Sequence, residues 1–150
     1  MFAACKKEIG ITLTSVSGYR SYSTQTNIYK KKLSKVKTKE KADEYVARPG
    51  ASEHQLALAM DVGQKDSKAG LTGSFGKTKG GKWLAKNCYR FGFILRYQEG
   101  WEDITGYEYE PWHVRYVGKE NALKIQEQDI PFETWMLYQR EAALLEFVGY

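Results

Sequence analysis

Both histidines of this chain lie close to carboxylates, a combination of side chains that binds divalent metals. His54 directly follows Glu53, and His113 lies three residues after Glu110. A further carboxylate, Asp61, comes seven residues after His54. On a single helix that separation would be about 10 Å of rise, which metal bonds of about 2.0 to 2.2 Å could not span. A shared metal site therefore requires His54 on a turn and Asp61 within the strand that follows it.

Two histidines and one carboxylate are the ligands of a catalytic rather than a structural zinc site, because one coordination position stays open for water. Such a site needs a base, and Glu110 is the candidate. Pro111 prevents Glu110 and His113 from sharing one regular helix, so the chain must bend between them. The spacing alone leaves an alternative open, in which the two histidines are unrelated surface residues beside ordinary acids.

A predicted strand over residues 56–62 would position Asp61. Its alternation places the carboxylate and two alanines on one face and the larger apolar residues on the other. The elements predicted before it are a helix over 2–9 that ends at Gly10, a strand over 11–17, a helix from Ser21 or Ser23, a lysine-rich segment to 46 and a turn at Pro49-Gly50.

The residues after Asp61 predict a long loop and then a mixture of helices and short strands. The loop spans residues 63–81, which are rich in Gly, Lys, Ser and Thr. The elements predicted after it are a helix from Trp83 closed by Gly92, strands at 93–97, 108–109 and 113–117, and a helical tail from Ala122. Because no βαβ rhythm is present, we predict an α+β fold with a small antiparallel sheet flanked by helices.

The composition indicates one globular domain over residues 1–150. The chain is 42% hydrophobic and 27% charged, which excludes a disordered tail and a membrane-embedded protein. It contains no run of 18 apolar residues and no signal peptide, so we expect no transmembrane segment; a leader upstream of residue 1 remains open. Cys5 and Cys88 do not form a disulfide framework, and their redox state is left open.

The formal net charge of +5 comes from two lysine-rich segments. They are residues 30–41 and 65–82. Such clusters attract polyanions, or they are simply solvated faces of the protein. No zinc-finger, RNP or recognition-helix signature accompanies them, so we expect no nucleic acid partner.

Three blocks of sequence resemble the VanY-like family of D-alanyl-D-alanine carboxypeptidases, zinc metallopeptidases of the bacterial cell wall. The blocks read SGYRSY from Ser17, RPGASEHQL from Arg48 through Asp61-Val62, and GFILRY from Gly92 through EPWHVRYVG at 110–118. The resemblance runs from about residue 2 to about residue 135. It implies the LAS-type metallopeptidase fold, also described as hedgehog/D-Ala-D-Ala peptidase-like, which lysostaphin-type enzymes share.

The same resemblance assigns roles to individual residues. It implies that His54, Asp61 and His113 bind Zn²⁺ and that Glu110 is the general base. Arg20 would hold the terminal carboxylate of the substrate, a role suited to a planar, always-charged fork. The remaining substrate contacts would come from Gln25, Ser52, Tyr97 and Tyr109. We expect Arg96 and Arg115 to pair with acids in the core instead. Ala57 stands where the family commonly has glycine, and we expect its methyl group on the face of the site.

The activity implied is that of a zinc-dependent D,D-carboxypeptidase, which hydrolyses the C-terminal D-alanine of peptidoglycan stem peptides. We expect a monomer that acts at the cell envelope or outside the cell. Two enzymatic alternatives are an L,D-carboxypeptidase on tetrapeptide stems and a phage-type peptidoglycan endopeptidase. A non-enzymatic alternative is a cell-wall binding module, but a pure binder has no reason to keep a base beside metal ligands.

Overall fold

The computed structural model describes residues 1–149 and has the predicted α+β architecture. Helices α1 to α7 span Phe2–Ile9, Tyr22–Val36, Lys39–Asp43, Lys79–Asn87, Glu102–Thr105, Lys119–Gln128 and Phe132–Phe147. Strands β1 to β4 span Leu13–Ser17, Ala59–Gln64, Phe93–Leu95 and His113–Tyr116. Short 3-10 turns lie at Glu53–Leu56, Gly73–Lys77 and Cys88–Phe91.

The four strands form one sheet in the order β1-β2-β4-β3, in which neighbouring strands are antiparallel. β2 is therefore a central strand, and Asp61 on it pairs with Ser17 of β1 on one side and with His113 of β4 on the other. The register of the sheet thus places one predicted ligand directly opposite another, although they are far apart in sequence.

Strand β2 begins later than predicted. Residues 53–56 form a 3-10 turn, and Ala57 ends that turn with a φ of 57°, in the left-handed region. Leu56 and Leu58 are consequently exposed instead of packed, and strand structure begins only at Ala59. The expectation that the Ala57 methyl group lies on the site face is wrong, because this residue belongs to the turn and is exposed.

The expected loop after Asp61 and one predicted strand also differ from the sequence-based prediction. The expected loop over 63–81 is shorter, because β2 runs to Gln64 and α4 begins at Lys79 behind the N-cap Thr78. The predicted strand at 108–109 is absent. The backbone there makes single hydrogen bonds to two different segments, from Glu108 N–H to the Glu44 carbonyl and from Glu110 N–H to the Tyr97 carbonyl, so no ladder forms.

The main core packs α1 and α4 against one face of the sheet. Cys5 and Cys88 are both buried in it and both are free thiols. The predicted caps are confirmed, since the Ser21 side chain accepts from Thr24 N–H at the start of α2, and Gly10 and Gly92 adopt left-handed conformations after their helices. Within residues 1–149, no helix is both long and apolar enough to cross a membrane.

Candidate metal centre and active site

Three predicted metal ligands converge at one end of the β2–β4 pair. Asp61 comes from β2, His113 from β4, and His54 from the 3-10 turn that precedes β2. One potential ligand atom from each lies within 4.8 Å of the other two, and all three side chains are buried. The turn and the strand thus achieve the arrangement that a single helix could not.

A backbone carbonyl fixes the orientation of the His54 ring. Its Nδ1 lies 2.7 Å from the carbonyl oxygen of Gly18. Because a carbonyl can only accept, Nδ1 carries the hydrogen and Nε2 presents its lone pair. That Nε2 faces Asp61 Oδ1 at 3.3 Å.

The carboxylate of Glu53 orients the His113 ring, as the Gly18 carbonyl orients that of His54. His113 Nε2 lies 3.3 Å from Glu53 Oε2, while Nδ1 lies 3.2 Å from Asp61 Oδ1. Burial alone would raise the pKa of Glu53, but the hydrogen bond from His113 and the charge of Arg96 outweigh it and lower that pKa to about 2. An ionised Glu53 accepts the Nε2 hydrogen, which leaves Nδ1 to face the cluster.

The donor set fits a zinc ion. Two imidazole nitrogens and one carboxylate oxygen face a common point, and each imidazole is held from behind by an oxygen acceptor, which is how metal-binding histidines are usually supported. Burial would lower the pKa of His113, but hydrogen bonds to Asp61 and Glu53 raise it to about 9. The carboxylates around the cluster therefore favour a positive charge at this place.

Glu110 lies beside the cluster, with its Oε2 3.9 Å from His113 Nδ1. The bend predicted at Pro111 is present, since His113 N–H donates to the Glu110 carbonyl at 3.1 Å. Burial and then the negative charge of Asp61 raise the pKa of Glu110, while the charges of His113 and Arg20 oppose the rise, and the pKa is about 7. A carboxyl group with this pKa can both accept and return a proton near neutrality.

The three predicted metal ligands and Glu110 line one cavity of about 170 Å³. Four of the five predicted substrate-binding residues line it, namely Arg20, Gln25, Ser52 and Tyr97. The Arg20 guanidinium forms an ion pair with Asp61, and its Nε donates to Ser17 Oγ at 2.9 Å. Since a guanidinium has five N–H donors, several remain available.

Gln25 is 1% exposed, and one of its two polar side-chain atoms is unpaired. Its Nε2 donates to the Ala47 carbonyl at 2.8 Å, whereas its Oε1 has no hydrogen-bond partner within residues 1–149. Buried polar atoms are nearly always satisfied, so an unpaired acceptor that belongs to a cavity-lining residue indicates where a ligand N–H can bind.

The structure does not bring Tyr109 to this cavity. Its ring lies against the 3-10 turn at Gly73–Lys77, where a Cβ on Gly76 would overlap the Tyr109 hydroxyl. Tyr107 lines the cavity instead, and its ring packs at a tilt against Tyr97, with 4.7 Å between the ring centroids. The sequence reasoning missed Tyr107, because both tyrosines lie on an irregular segment whose direction depends on the glycines of a distant turn.

The expected partners of Arg96 and Arg115 are confirmed. Arg96 Nε lies 2.8 Å from Glu53 Oε1, and Arg115 Nη1 lies 2.9 Å from the same oxygen. Arg96 also binds Glu133 of α7 through two contacts of 3.0 and 2.5 Å. Glu53 therefore contacts both arginines and His113. The sequence did not predict this role, although the position of Glu53 next to His54 pointed to the site.

Comparisons with known proteins show which family this chain is similar to. The family model described as VanY, D-alanyl-D-alanine carboxypeptidase, matches residues 1–119. The putative carboxypeptidase YodJ of Bacillus subtilis (strain 168) is 51% identical over 135 residues, which cover 90% of this chain and 49% of that protein. The chain thus spans about half the length of this curated relative.

Two solved structures have the same fold. The LdcB LD-carboxypeptidase matches with a TM-score of 0.83 and 51% identity, covering 91% of this chain and 63% of that one. A vancomycin-resistance D,D-pentapeptidase, a VanY variant in complex with Zn(II), matches with a TM-score of 0.78 and 38% identity, covering 90% of this chain and 76% of that one.

Proposed function

The chain belongs to the VanY family of D-alanyl-D-alanine carboxypeptidases, and we propose that it is a zinc-dependent D,D-carboxypeptidase that removes the C-terminal D-alanine from peptidoglycan stem peptides. The observation that carries the proposal is the buried His54–Asp61–His113 cluster with Glu110 beside it in one cavity. A binding module would not need a base next to a metal site.

His54 Nε2, an Asp61 carboxylate oxygen and His113 Nδ1 would hold the zinc ion. When bound, zinc supplies Lewis acidity, which lowers the pKa of water and polarises the scissile carbonyl. Gly18 and Glu53 keep the two imidazoles in the tautomers that present these nitrogens.

Glu110 performs the proton transfers. Its carboxylate accepts a proton from the attacking water and returns it to the nitrogen of the leaving D-alanine. Because both histidines are used as ligands and the chain has no third, no imidazole is left for this task. Burial raises the pKa of Glu110 to about 7, which supports this role.

Arg20 makes the enzyme an exopeptidase. Its guanidinium lies in the cavity, held by Ser17 and Asp61, and its free N–H groups would bind the terminal carboxylate of the substrate. A substrate without that carboxylate would leave the cation poorly solvated. Gln25 Oε1 would accept from a substrate N–H, and Ser52 and Tyr97 would complete the walls.

An L,D-carboxypeptidase that acts on tetrapeptide stems is the second candidate. It is favoured by the 51% identity to the LdcB LD-carboxypeptidase, against 38% to the VanY D,D-pentapeptidase. The two activities require the same metal, base and arginine, and they differ in the chirality of the residue before the scissile bond. We further propose that the protein acts as a monomer at the cell envelope or outside the cell, where its substrate lies.

The test is release of D-alanine from purified pentapeptide and tetrapeptide stems, with and without a chelator. We expect chelator-sensitive release, faster from the pentapeptide; faster release from the tetrapeptide would favour the second candidate. Glu110→Gln should lower kcat by at least about 100-fold while zinc content stays near one per chain. The exposed Glu99→Gln serves as the matched control and should retain activity. Release from neither stem would refute the proposed function.

A further inference from the structure

One face of helix α2 lines the active cavity near its N-terminal end and carries lysines further along the helix. Gln25 and Ile28 on this face line the cavity, and Lys31, Lys32 and Lys35 follow on the same face at helical spacing. The three lysines line an adjoining groove of about 180 Å³. We refer to Lys31, Lys32 and Lys35 as the lysine stripe.

The groove is continuous with the active cavity, because Ile28 and Val46 line both. Tyr45 also lines the cavity, and Lys32 Nζ lies over its ring, 4.1 Å from the centroid. This cation–π contact holds one ammonium group where cavity and groove meet.

Carboxylates of the protein do not neutralise the stripe. Within residues 1–149, no carboxylate oxygen lies within 4.0 Å of the Nζ of Lys31, Lys32 or Lys35, whereas Lys41 and Lys124 each pair with an acid on their own helix or next to it. Three neighbouring like charges repel one another, so an anion in this groove would be stabilised by all of them.

The length of the face fits the proposed substrate. From Gln25 to Lys35 the helix rises about 15 Å, since each residue adds about 1.5 Å. An extended peptide covers about 3.3 to 3.6 Å per residue, so this face spans four to five residues of a bound chain. A peptide whose C-terminus lies at Arg20 would therefore pass the lysines with the residues that precede its scissile bond.

We propose that the lysine stripe is a second recognition site of the active cavity, which binds the free carboxylate of an acidic residue two to four positions before the scissile bond. The inference rests on the proposed function and adds a preference for stems with an unblocked acidic residue over stems in which it is amidated. The continuity with the cavity favours the substrate's own carboxylate over a separate anionic polymer.

The test compares two synthetic pentapeptides that end in D-Ala-D-Ala and carry one glutamate before the scissile bond. They differ only in whether the carboxyl group of that glutamate is free or amidated. The quantity measured is kcat/KM for the wild-type protein, for the double variant Lys32→Gln/Lys35→Gln, and for Lys30→Gln, which lies on the opposite side of α2. We expect the wild type to prefer the free carboxylate by about three- to tenfold, mainly through KM, at low salt.

The double variant should cleave the two peptides at nearly equal kcat/KM, and Lys30→Gln should keep the wild-type preference. Equal kcat/KM for both peptides in the wild type would overturn the inference. So would a double variant that retains the preference, or one in which kcat/KM falls by the same factor for both peptides. If neither peptide is cleaved, the proposed function fails. Calorimetric binding of the two peptides to the same three proteins then still decides whether the stripe distinguishes carboxylate from amide.

Discussion

Substitution of Glu53 tests how a residue that is not a proposed zinc ligand supports the proposed ligand His113. Glu53→Gln keeps the shape of the side chain but removes its charge and replaces one acceptor oxygen with a donor. Two short bonds from guanidinium groups are affected, from Arg96 at 2.8 Å and from Arg115 at 2.9 Å, together with the contact from His113 Nε2 at 3.3 Å. The side chain of Glu53 is only 13% exposed, so water does not replace the lost interactions.

The expected magnitude follows from these contacts. Each hydrogen bond between charged groups contributes about 1.5 to 3 kcal/mol, but Gln can still accept one weaker bond, and Arg96 retains Glu133. We therefore expect the free energy of unfolding, measured by urea denaturation with chelator present, to fall by about 2 to 4 kcal/mol. Loss of the acceptor behind His113 should also weaken zinc binding by about 10- to 100-fold, measured by competition with a chromogenic chelator.

Glu133→Gln is the matched control, because it removes the other partner of Arg96 without touching His113. Its side chain is 34% exposed, so we expect a loss of at most about 1 kcal/mol and an unchanged zinc affinity. A Glu53→Gln variant that bound zinc as tightly as the wild type would contradict this role of Glu53. So would a Glu133→Gln variant that weakened zinc binding to the same extent.

Four other measurements test the fold. Ala57→Gly should raise the free energy of unfolding by about 0.5 to 1 kcal/mol, because Ala57 has a φ of 57°, a conformation that glycine adopts without strain; a loss of stability in thermal denaturation would contradict this. Gly81→Ala should lower stability by about 3 kcal/mol or more, because its Cβ would overlap the Phe75 carbonyl, and a wild-type melting temperature would show that the turn can move. Cys5 and Cys88 should react with Ellman's reagent only after unfolding, because burial raises the pKa of both thiols, that of Cys88 to about 12. Since this raised pKa keeps the folded thiol neutral while the unfolded one ionises near pH 9, stability should be lost progressively from about pH 9 to pH 12, and a flat profile across that range would exclude the effect.

The sequence predicted the convergence of His54, Asp61 and His113 better than it predicted the walls of the cavity. The need to bring His54 and Asp61 within metal-binding distance already required a turn followed by a strand, and the structure has both. The pairing of Asp61 with His113 depends on sheet register, which joins residues 52 positions apart and is invisible to local patterns.

The choice between Tyr107 and Tyr109 shows why the residues that line the cavity were harder to predict from the sequence. Both residues lie on a segment without regular structure, so no period assigns either of them to a face. Tyr109 turns away because Gly76 leaves space for its ring, and nothing local to residue 109 carries that information. The same holds for Ala57, whose left-handed conformation follows from the turn it ends and shortens the predicted strand.

Anomalous diffraction at the zinc edge, from crystals of the zinc-loaded protein, would locate the bound metal. We expect one strong peak, about 2.0 to 2.2 Å from His54 Nε2, an Asp61 carboxylate oxygen and His113 Nδ1, with Glu110 next to it but not bound. A peak elsewhere, or zinc bound by Glu110 in place of one of these three ligands, would contradict this expectation.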